Sequence, residues 1–442
     1  MLLRFVIKNL YSFKEQTEFN LFPSSRAAHH QHHRIKCDHA EALRFSSIYG
    51  ANGAGKSNLV KALSDLQTFV ARGGVGGSIF DPYKFQLSKE CIEEPVSMAL
   101  EFCHENTVYY YSIEVDTGSV NYESLSVSKG KKDVTVFERK GNGKLSVVFG
   151  EEYLKDKKNK LFSSVLEEKL LNKEAFLLSF MAVNYPNEIK GIKETYSWIL
   201  NSLLIVRSDG LKNLPVIHAL DTNPEMRDLL MRMLPGMKTG ISNISVVHSE
   251  VEENGLRPEL VSQIKSTPGR AWMLPGRYDP RINDNLAYEN GKIIRKDLQP
   301  FHRLEDGTEV KMPIAFESDG TIRLIEYTPV IYMILNQDCT IVIDEIERSL
   351  HPILIKEIIK KLSESKAAKG QLVFTTHESC LLDQEILRPD EIWFAQKDQD
   401  QATQLYPLSD FSIHKTASIE NGYLNGRYGG IPFLSNLNDL KW

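Results

Sequence analysis

Gly50-Ala-Asn-Gly-Ala-Gly-Lys-Ser57 decides how this chain is read. The stretch fits G-x-x-x-x-G-K-[ST], and a short apolar strand, Phe45–Tyr49, leads into it. After it, over Ser57–Phe69, Leu59, Val60, Ala62, Leu63 and Leu66 fall on one helical face. Glycines at 50, 53 and 55 allow close backbone approach and unusual dihedrals. The N–H groups of such a loop point inward as an anion nest, and the helix N-terminus adds partial positive charge. In this setting Lys56 reaches the β- and γ-phosphates of a nucleotide, and the Ser57 hydroxyl ligates Mg²⁺.

A second stretch supports the first. In Cys339-Thr-Ile-Val-Ile-Asp344-Glu345, a buried strand ends in two carboxylates. Asp344 at the strand tip suits Mg²⁺, and Glu345 suits a general base that polarises an attacking water. Taken alone, two acidic residues often do no more than end a strand. His377 follows a further apolar strand, Gln371–Thr376, and can contact the γ-phosphate or the water. A lone histidine there would more often be a satisfied surface residue. As the third element in this order it reads as functional.

Composition sets the limits. The 442 residues allow about two or three domains. With 42% hydrophobic and 25% charged residues, the chain is not a disordered or fibrous one. No run of 18 apolar residues occurs, so no membrane partner is expected. Arg4 and Lys8 interrupt the first ten residues, which fit no signal peptide. A net charge of -5 argues against a nucleic-acid coat, although it leaves room for a local basic patch. Cys37, Cys91, Cys103, Cys339 and Cys380 are odd in number and scattered, which argues against a disulfide framework and favours a reducing, cytoplasmic setting.

Along the chain, strands are expected at residues 2–7 and 17–21, and a polar, histidine-rich loop at 22–44. Residues 96–149 are rich in β-branched and aromatic residues and read as an antiparallel β layer. Residues 151–236 read as helical, with Leu-rich stretches at 161–180 and 195–205, and 237–300 as mixed. From 312 onward a helix over Ile322–Leu335, a strand over Thr340–Ile343, a helix over Leu354–Ser363 and a strand over Leu372–Thr375 predict a parallel sheet covered by helices. The expected organisation is 1–150 and 301–442 as the two halves of one α/β head, with 151–300 as a helical and mixed insertion.

In this order the motifs resemble the ABC-type ATPases of the SMC and RecF class. Asn52-Gly-Ala-Gly-Lys-Ser-Asn58 is similar to that class's P-loop, which adds Asn52 and Asn58 to the nucleotide contacts. Ser318-Asp-Gly-Thr321 is similar to a reduced signature, Ile343-Asp-Glu345 to Walker B, Ser349-Leu-His-Pro352 to the D-loop, and Thr376-His377 to the switch histidine. A narrower resemblance rests on Glu317-Ser-Asp-Gly-Thr, Arg388-Pro-Asp-Glu-Ile-Trp-Phe394 and Gly426-Arg-Tyr-Gly-Gly-Ile-Pro432. These look like the AAA-type ATP-binding proteins of bacterial abortive-infection and anti-phage systems, whose relatives include the Septu, PARIS and Rlo-type ATPase subunits. The resemblance implies a P-loop ABC-type α/β head that uses ATP and Mg²⁺ and forms a homo-oligomer. It implies that Ser318 and Gly320 of one copy contact the γ-phosphate held by Lys56 of another. It also implies control of a separately encoded nuclease or toxin. A DNA repair or maintenance ATPase, binding DNA or RNA, is the alternative, and an assembly scaffold that binds ATP and hardly turns over is a third reading. The signature departs from Leu-Ser-Gly-Gly-Gln, and no Q-loop glutamine stands out, with Gln86 or a residue of 180–185 as candidates.

Weaker signals complete the reading. His29-His-Gln-His-His33, with Cys37 and His39, suits a solvated loop better than a metal site. Lys129, Lys131, Lys132, Arg139, Lys140 and Lys144 suit a solvated hairpin better than a phosphate-binding one. Lys155, Lys157, Lys158 and Lys160 suit an exposed helix face. Arg270, Arg277 and Arg281, with Trp272 and Tyr278, suit packing or a partner contact. The residues after His377 hold no H-N-H pattern and no D-x-D pair, so the chain is not expected to be the nuclease itself.

Overall fold

Apolar strands without alternation must be buried on both faces, and a parallel sheet does this. Phe45–Gly50, Thr340–Ile343 and Gln371–Thr375 are such strands, and every residue in them is buried in the computed structural model. They lie at the centre of a six-stranded sheet, in the order Leu203–Val206, Thr340–Ile343, Gln371–Thr375, Phe45–Gly50, Ile392–Lys397, Thr403–Pro407. Neighbours run parallel except for the last pair, which is antiparallel. The structure describes residues 1–25, 27, 29–130, 132–155, 157–208, 215–276, 279, 281–413 and 417–431. Lys131, Arg277, Tyr278 and Pro432, singled out above, lie outside the described residues.

The chain divides into two units. The first comprises Met1–Arg207, Asp338–Ile346 and Ile359–Trp442, and the second Ser208–Gln337 and Glu347–Ile358. Besides the six-stranded sheet, the first unit holds a seven-stranded antiparallel sheet. Its order is Ser146–Phe149, Asp133–Lys140, Ser119–Ser128, Thr107–Asp116, Val96–His104, Leu2–Lys8, Thr17–Asn20. This is the expected β layer. Gln371 joins the two sheets. Its buried amide accepts from Leu2 N at 2.7 Å and donates to Leu2 O at 2.9 Å and Leu43 O at 2.8 Å, so its polar atoms are satisfied in the core.

Helical segments after residue 151 pack on the antiparallel sheet, where Trp198 stacks on Phe102 with ring centroids 4.1 Å apart. Glu123 anchors that layer. Its fully buried carboxylate accepts from Tyr111 Oη at 3.0 Å, Leu177 N at 2.6 Å and Leu178 N at 2.9 Å, meeting the first turn of the helix Leu177–Asn184. Burial holds this carboxyl above its ordinary range. Glu123→Ala leaves two backbone donors unpaired and is expected to cost about 3 kcal/mol. Urea unfolding checks this, and a cost under about 1 kcal/mol would mean that water replaces the carboxylate.

The second unit is built on an antiparallel sheet that pairs Ile241–Glu250 with Lys292–Arg303, and Asn283–Glu289 with both Lys292–Arg303 and Trp272–Pro275. Helices Val216–Thr222, Pro224–Gly236 and Asp319–Asn336 supply Ile217, Leu230, Leu234, Ile322 and Ile325 to its core.

Three expectations need correction. Leu203–Val206, read within a helical stretch, is a strand parallel to Thr340–Ile343, because four consecutive apolar residues fit a buried strand equally well. Cys37 and Cys103 form a disulfide, 66 residues apart in sequence, that ties the hairpin Arg34–Cys37/Ala40–Leu43 to the antiparallel sheet. Residues 31–37 and 40–43 of the expected polar loop carry regular structure. Among the described residues no helix is long and apolar enough to cross a membrane.

Candidate functional site

Parallel strands end at one edge of their sheet, and that edge is where open α/β sheets bind ligands. The register sets Ile48 beside Thr375 and Ile343 beside Phe374. Gly50, Asp344 and His377 therefore follow neighbouring strands off the same edge.

The loop after Phe45–Gly50 turns into the helix Lys56–Arg72. Gly50 is required by close approach, since a Cβ there would run into the carbonyl oxygen of Ala395. Gly55 sits at φ 108°, and a Cβ there would strike Thr403. No side chain caps the helix, and its first turn holds no acidic residue, so its N-terminal charge is not offset from within. Lys56 is 5% exposed and donates to Gly50 O at 2.7 Å and Ala51 O at 3.2 Å, which holds its ammonium across the loop. Asn52 and Gly53 are exposed at the tip. Asn58 is engaged elsewhere, its amide donating to Ser12 Oγ at 2.8 Å.

The structure brings Ser57 and Asp344 together. Ser57 Oγ donates to Asp344 Oδ1 at 3.1 Å, and Thr375 Oγ1 donates to the same oxygen at 2.6 Å. Asp344 is 4% exposed. A hydroxyl and a carboxylate, both hard oxygen donors, suit Mg²⁺. Glu345 follows at φ 53°, a left-handed conformation uncommon outside glycine, and its N–H is pinned to Thr375 Oγ1 at 2.8 Å. Thr375 thus orients both carboxylate residues. Sequence reasoning missed it, because a threonine ending a strand carries no motif. His377 is exposed just past the buried Thr375 and Thr376.

Ser318 and Gly320 belong to the second unit. Ser318 caps the helix Asp319–Asn336, accepting from Thr321 N at 3.1 Å. A Cβ on Gly320 would lie 3.0 Å from Ser349 O, so the signature and D-loop segments meet within this unit. They line a cleft of about 520 Å³ with Lys238, His302 and Glu317, and Phe316 at its rim is 73% exposed. Arg281 is half-buried. It grips Asp279 and Asp319 and donates to the Ala315 and Glu317 carbonyls at 3.2 and 3.0 Å, which favours packing over partner contact.

The other candidates behave differently. Arg139 is fully buried and donates to the backbone carbonyls of Val120, Asn172 and Lys173, so it leaves the basic hairpin. Gln86 is spent on the Asp81 and Lys84 carbonyls. The histidine run is not a solvated loop. His33 is fully buried, with Nδ1 2.9 Å from Glu391 Oε1 and Nε2 2.9 Å from Ser363 O. Burial holds the Glu391 carboxyl well above its ordinary range and lowers His33 to about 4. His30, His32 and His33 cluster, yet each Nε2 faces a backbone carbonyl and must carry hydrogen, leaving none of the three Nε2 atoms as a metal ligand. A larger cavity of about 740 Å³ in the first unit, floored by Tyr109, Val127 and Val136, touches none of the motif residues.

The model of a family described as "AAA domain, putative AbiEii toxin, Type IV TA system" matches residues 45–178 and 184–383. Among solved structures, an SMC head bound to the C-terminal winged-helix domain of ScpA is 12% identical, with 94% of this chain and 98% of that chain covered and a TM-score of 0.46. The SMC head domain from Thermotoga maritima is 12% identical, covering 93% and 99%, with a TM-score of 0.41. An SMC head from Pyrococcus furiosus, bound to the C-terminal domain of ScpA, is 13% identical, covering 96% and 98%, with a TM-score of 0.40. No match emerges among curated proteins.

Proposed function

The chain belongs to the AbiEii-type AAA-domain family, and from that premise we propose that it is an ATPase subunit of a prokaryotic anti-phage system. It hydrolyses ATP to ADP and phosphate, oligomerises through ATP and controls a separately encoded toxin or nuclease. The observation that carries the ATPase reading is the Ser57–Asp344–Thr375 cluster at the strand edge that also presents Lys56.

In this reading the loop N–H groups and Lys56 bind the phosphates. Ser57 and Asp344 would hold Mg²⁺, which supplies charge neutralisation for the β- and γ-phosphates. Glu345 takes the proton of the attacking water as its oxygen bonds to the γ-phosphorus and the bond to the ADP oxygen breaks. His377 contacts the γ-phosphate. Ser318 and Gly320 of a second copy complete the site in trans, so nucleotide binding energy sets the assembly state that an effector reads. A cytoplasmic setting follows from this role.

The alternative is an SMC- or RecF-like DNA-binding ATPase. Its basic hairpin is reduced, because Arg139 is internal and Lys140 lies 3.9 Å from Glu138. The deciding experiment purifies the chain with its co-transcribed neighbour and measures mass by light scattering, with and without Mg·ATP. An ATP-dependent complex with a small effector is expected. A chain that stays alone and binds duplex DNA with a steep salt dependence would favour the alternative.

A further inference from the structure

We propose that Thr403 and Ser12 are positioning residues for the nucleotide, fixing the peptide between Ala54 and Gly55 so that its N–H faces the phosphates. The inference rests on the nucleotide reading of the phosphate loop and deepens it.

Thr403 opens the edge strand Thr403–Pro407 and is 2% exposed. Ser12 lies in the turn between Leu2–Lys8 and Thr17–Asn20 and is 9% exposed. The two are tied first through the backbone, where Thr403 N donates to Ser12 O at 2.7 Å. Their hydroxyls then reach the phosphate loop. Thr403 Oγ1 lies 2.8 Å from Ala54 O and 2.7 Å from Ser12 Oγ. Ser12 Oγ in turn accepts from Asn58 Nδ2 at 2.8 Å. The contacts leave the helix at Asn58 and return to the loop at Ala54. They come from segments almost 400 residues apart, |i−j| being 391 for the Ser12–Thr403 pair.

A hydroxyl carries one proton. Ala54 O has none, so Thr403 must spend its own proton there, and the Ser12 hydroxyl must turn its proton toward Thr403. Both hydroxyls are therefore needed to satisfy the set.

The Ala54 carbonyl falls outside the helical ladder, which starts at Gly55 O with Asn58 N at 3.1 Å and Leu59 N at 3.2 Å. In a planar trans peptide the C=O and the following N–H point in opposite directions. Drawing Ala54 O outward onto Thr403 turns the Gly55 N–H inward. Thr403 also fills the space where a Gly55 Cβ would sit, and Ser12 Oγ lies 2.9 Å from that point. The loop is thus held from outside by a hydrogen bond and by contact, and the cost of ordering it is met before the ligand arrives.

The test uses the full chain with Mg²⁺ and a fluorescent N-methylanthraniloyl ATP, together with thermal melts. Thr403→Val keeps the shape and removes the donor, and its affinity should fall about tenfold. Ser12→Ala should weaken binding by about threefold to tenfold. Thr403→Ser should stay within about threefold of wild type, a rescue that a purely structural role for the strand does not predict. Wild-type affinity in Thr403→Val, or equal weakening in Thr403→Ser, overturns the proposal. If Thr403→Val does not fold, Ser12→Ala decides, and unchanged affinity overturns it. A wild-type chain that binds no better than Lys56→Ala sinks the nucleotide reading itself, and this proposal with it.

Discussion

Lys56→Ala should lose Mg·ATP affinity by about 10²- to 10³-fold, the equivalent of about 3–4 kcal/mol from charge-assisted phosphate bonds. Lys56 is nearly buried, and its ammonium is already held by the Gly50 and Ala51 carbonyls, so the wild-type loop meets the phosphates with its charge in place. The loop's other donors are backbone N–H groups, which the substitution leaves intact. Titration calorimetry with Mg·ATP measures the loss. Melting curves should stay close, because the ammonium's bonds to Gly50 O and Ala51 O tie it to its own loop rather than to a distant element. Affinity within about threefold of wild type would move the phosphate away from Lys56.

Glu345→Gln should lower phosphate release by about 10²- to 10⁴-fold while ATP still binds. The change keeps size and removes the proton acceptor. Thr375 holds residue 345 through its backbone N–H, so the left-handed turn does not depend on the carboxylate. The variant should then hold the ATP-assembled mass in light scattering for as long as ATP persists, whereas the wild type relaxes. Turnover at the wild-type rate would remove Glu345 from the base role. A third pattern separates the scaffold reading. There the wild type releases almost no phosphate, Glu345→Gln behaves like it, and Lys56→Ala alone abolishes assembly.

The parallel sheet was legible because its motif strands are short apolar runs that end in chemistry. Thr340–Ile343 ends in Asp344, and Phe45–Gly50 ends in the phosphate loop. Helix ends could be read to within a few residues. The helix expected over Ser57–Phe69 runs Lys56–Arg72 and stops where Gly73 takes φ 83° and caps it from C′. The second unit's sheet was not legible. Its strands carry Asn283, Asn285, Pro275 and Pro300, residues that signal turns, and cross-strand pairing overrides them. The burial of His33 was also out of reach, since its partner Glu391 lies 358 positions away. The same holds at the site. Asp344 and the phosphate loop announce themselves, but the threonines bonded to them, Thr375 to Asp344 and Thr403 to Ala54, carry no motif and become visible only when strands are placed side by side.

The strand order has a consequence for how the protein is made. Phe45–Gly50 is synthesised more than 300 residues ahead of its sheet neighbours, Gln371–Thr375 and Ile392–Lys397. Until those strands are made it waits with both edges unpaired, the state in which apolar strands pair with the wrong partner. Closing the sheet then demands loops of more than 300 residues, the slow, non-local kind of folding. A prematurely terminated chain carries the phosphate loop but neither Asp344 nor Thr403. Nucleotide competence therefore requires a chain translated through Thr403, and fragments released before it are expected in the aggregated fraction of a cell rather than as partial ATP binders.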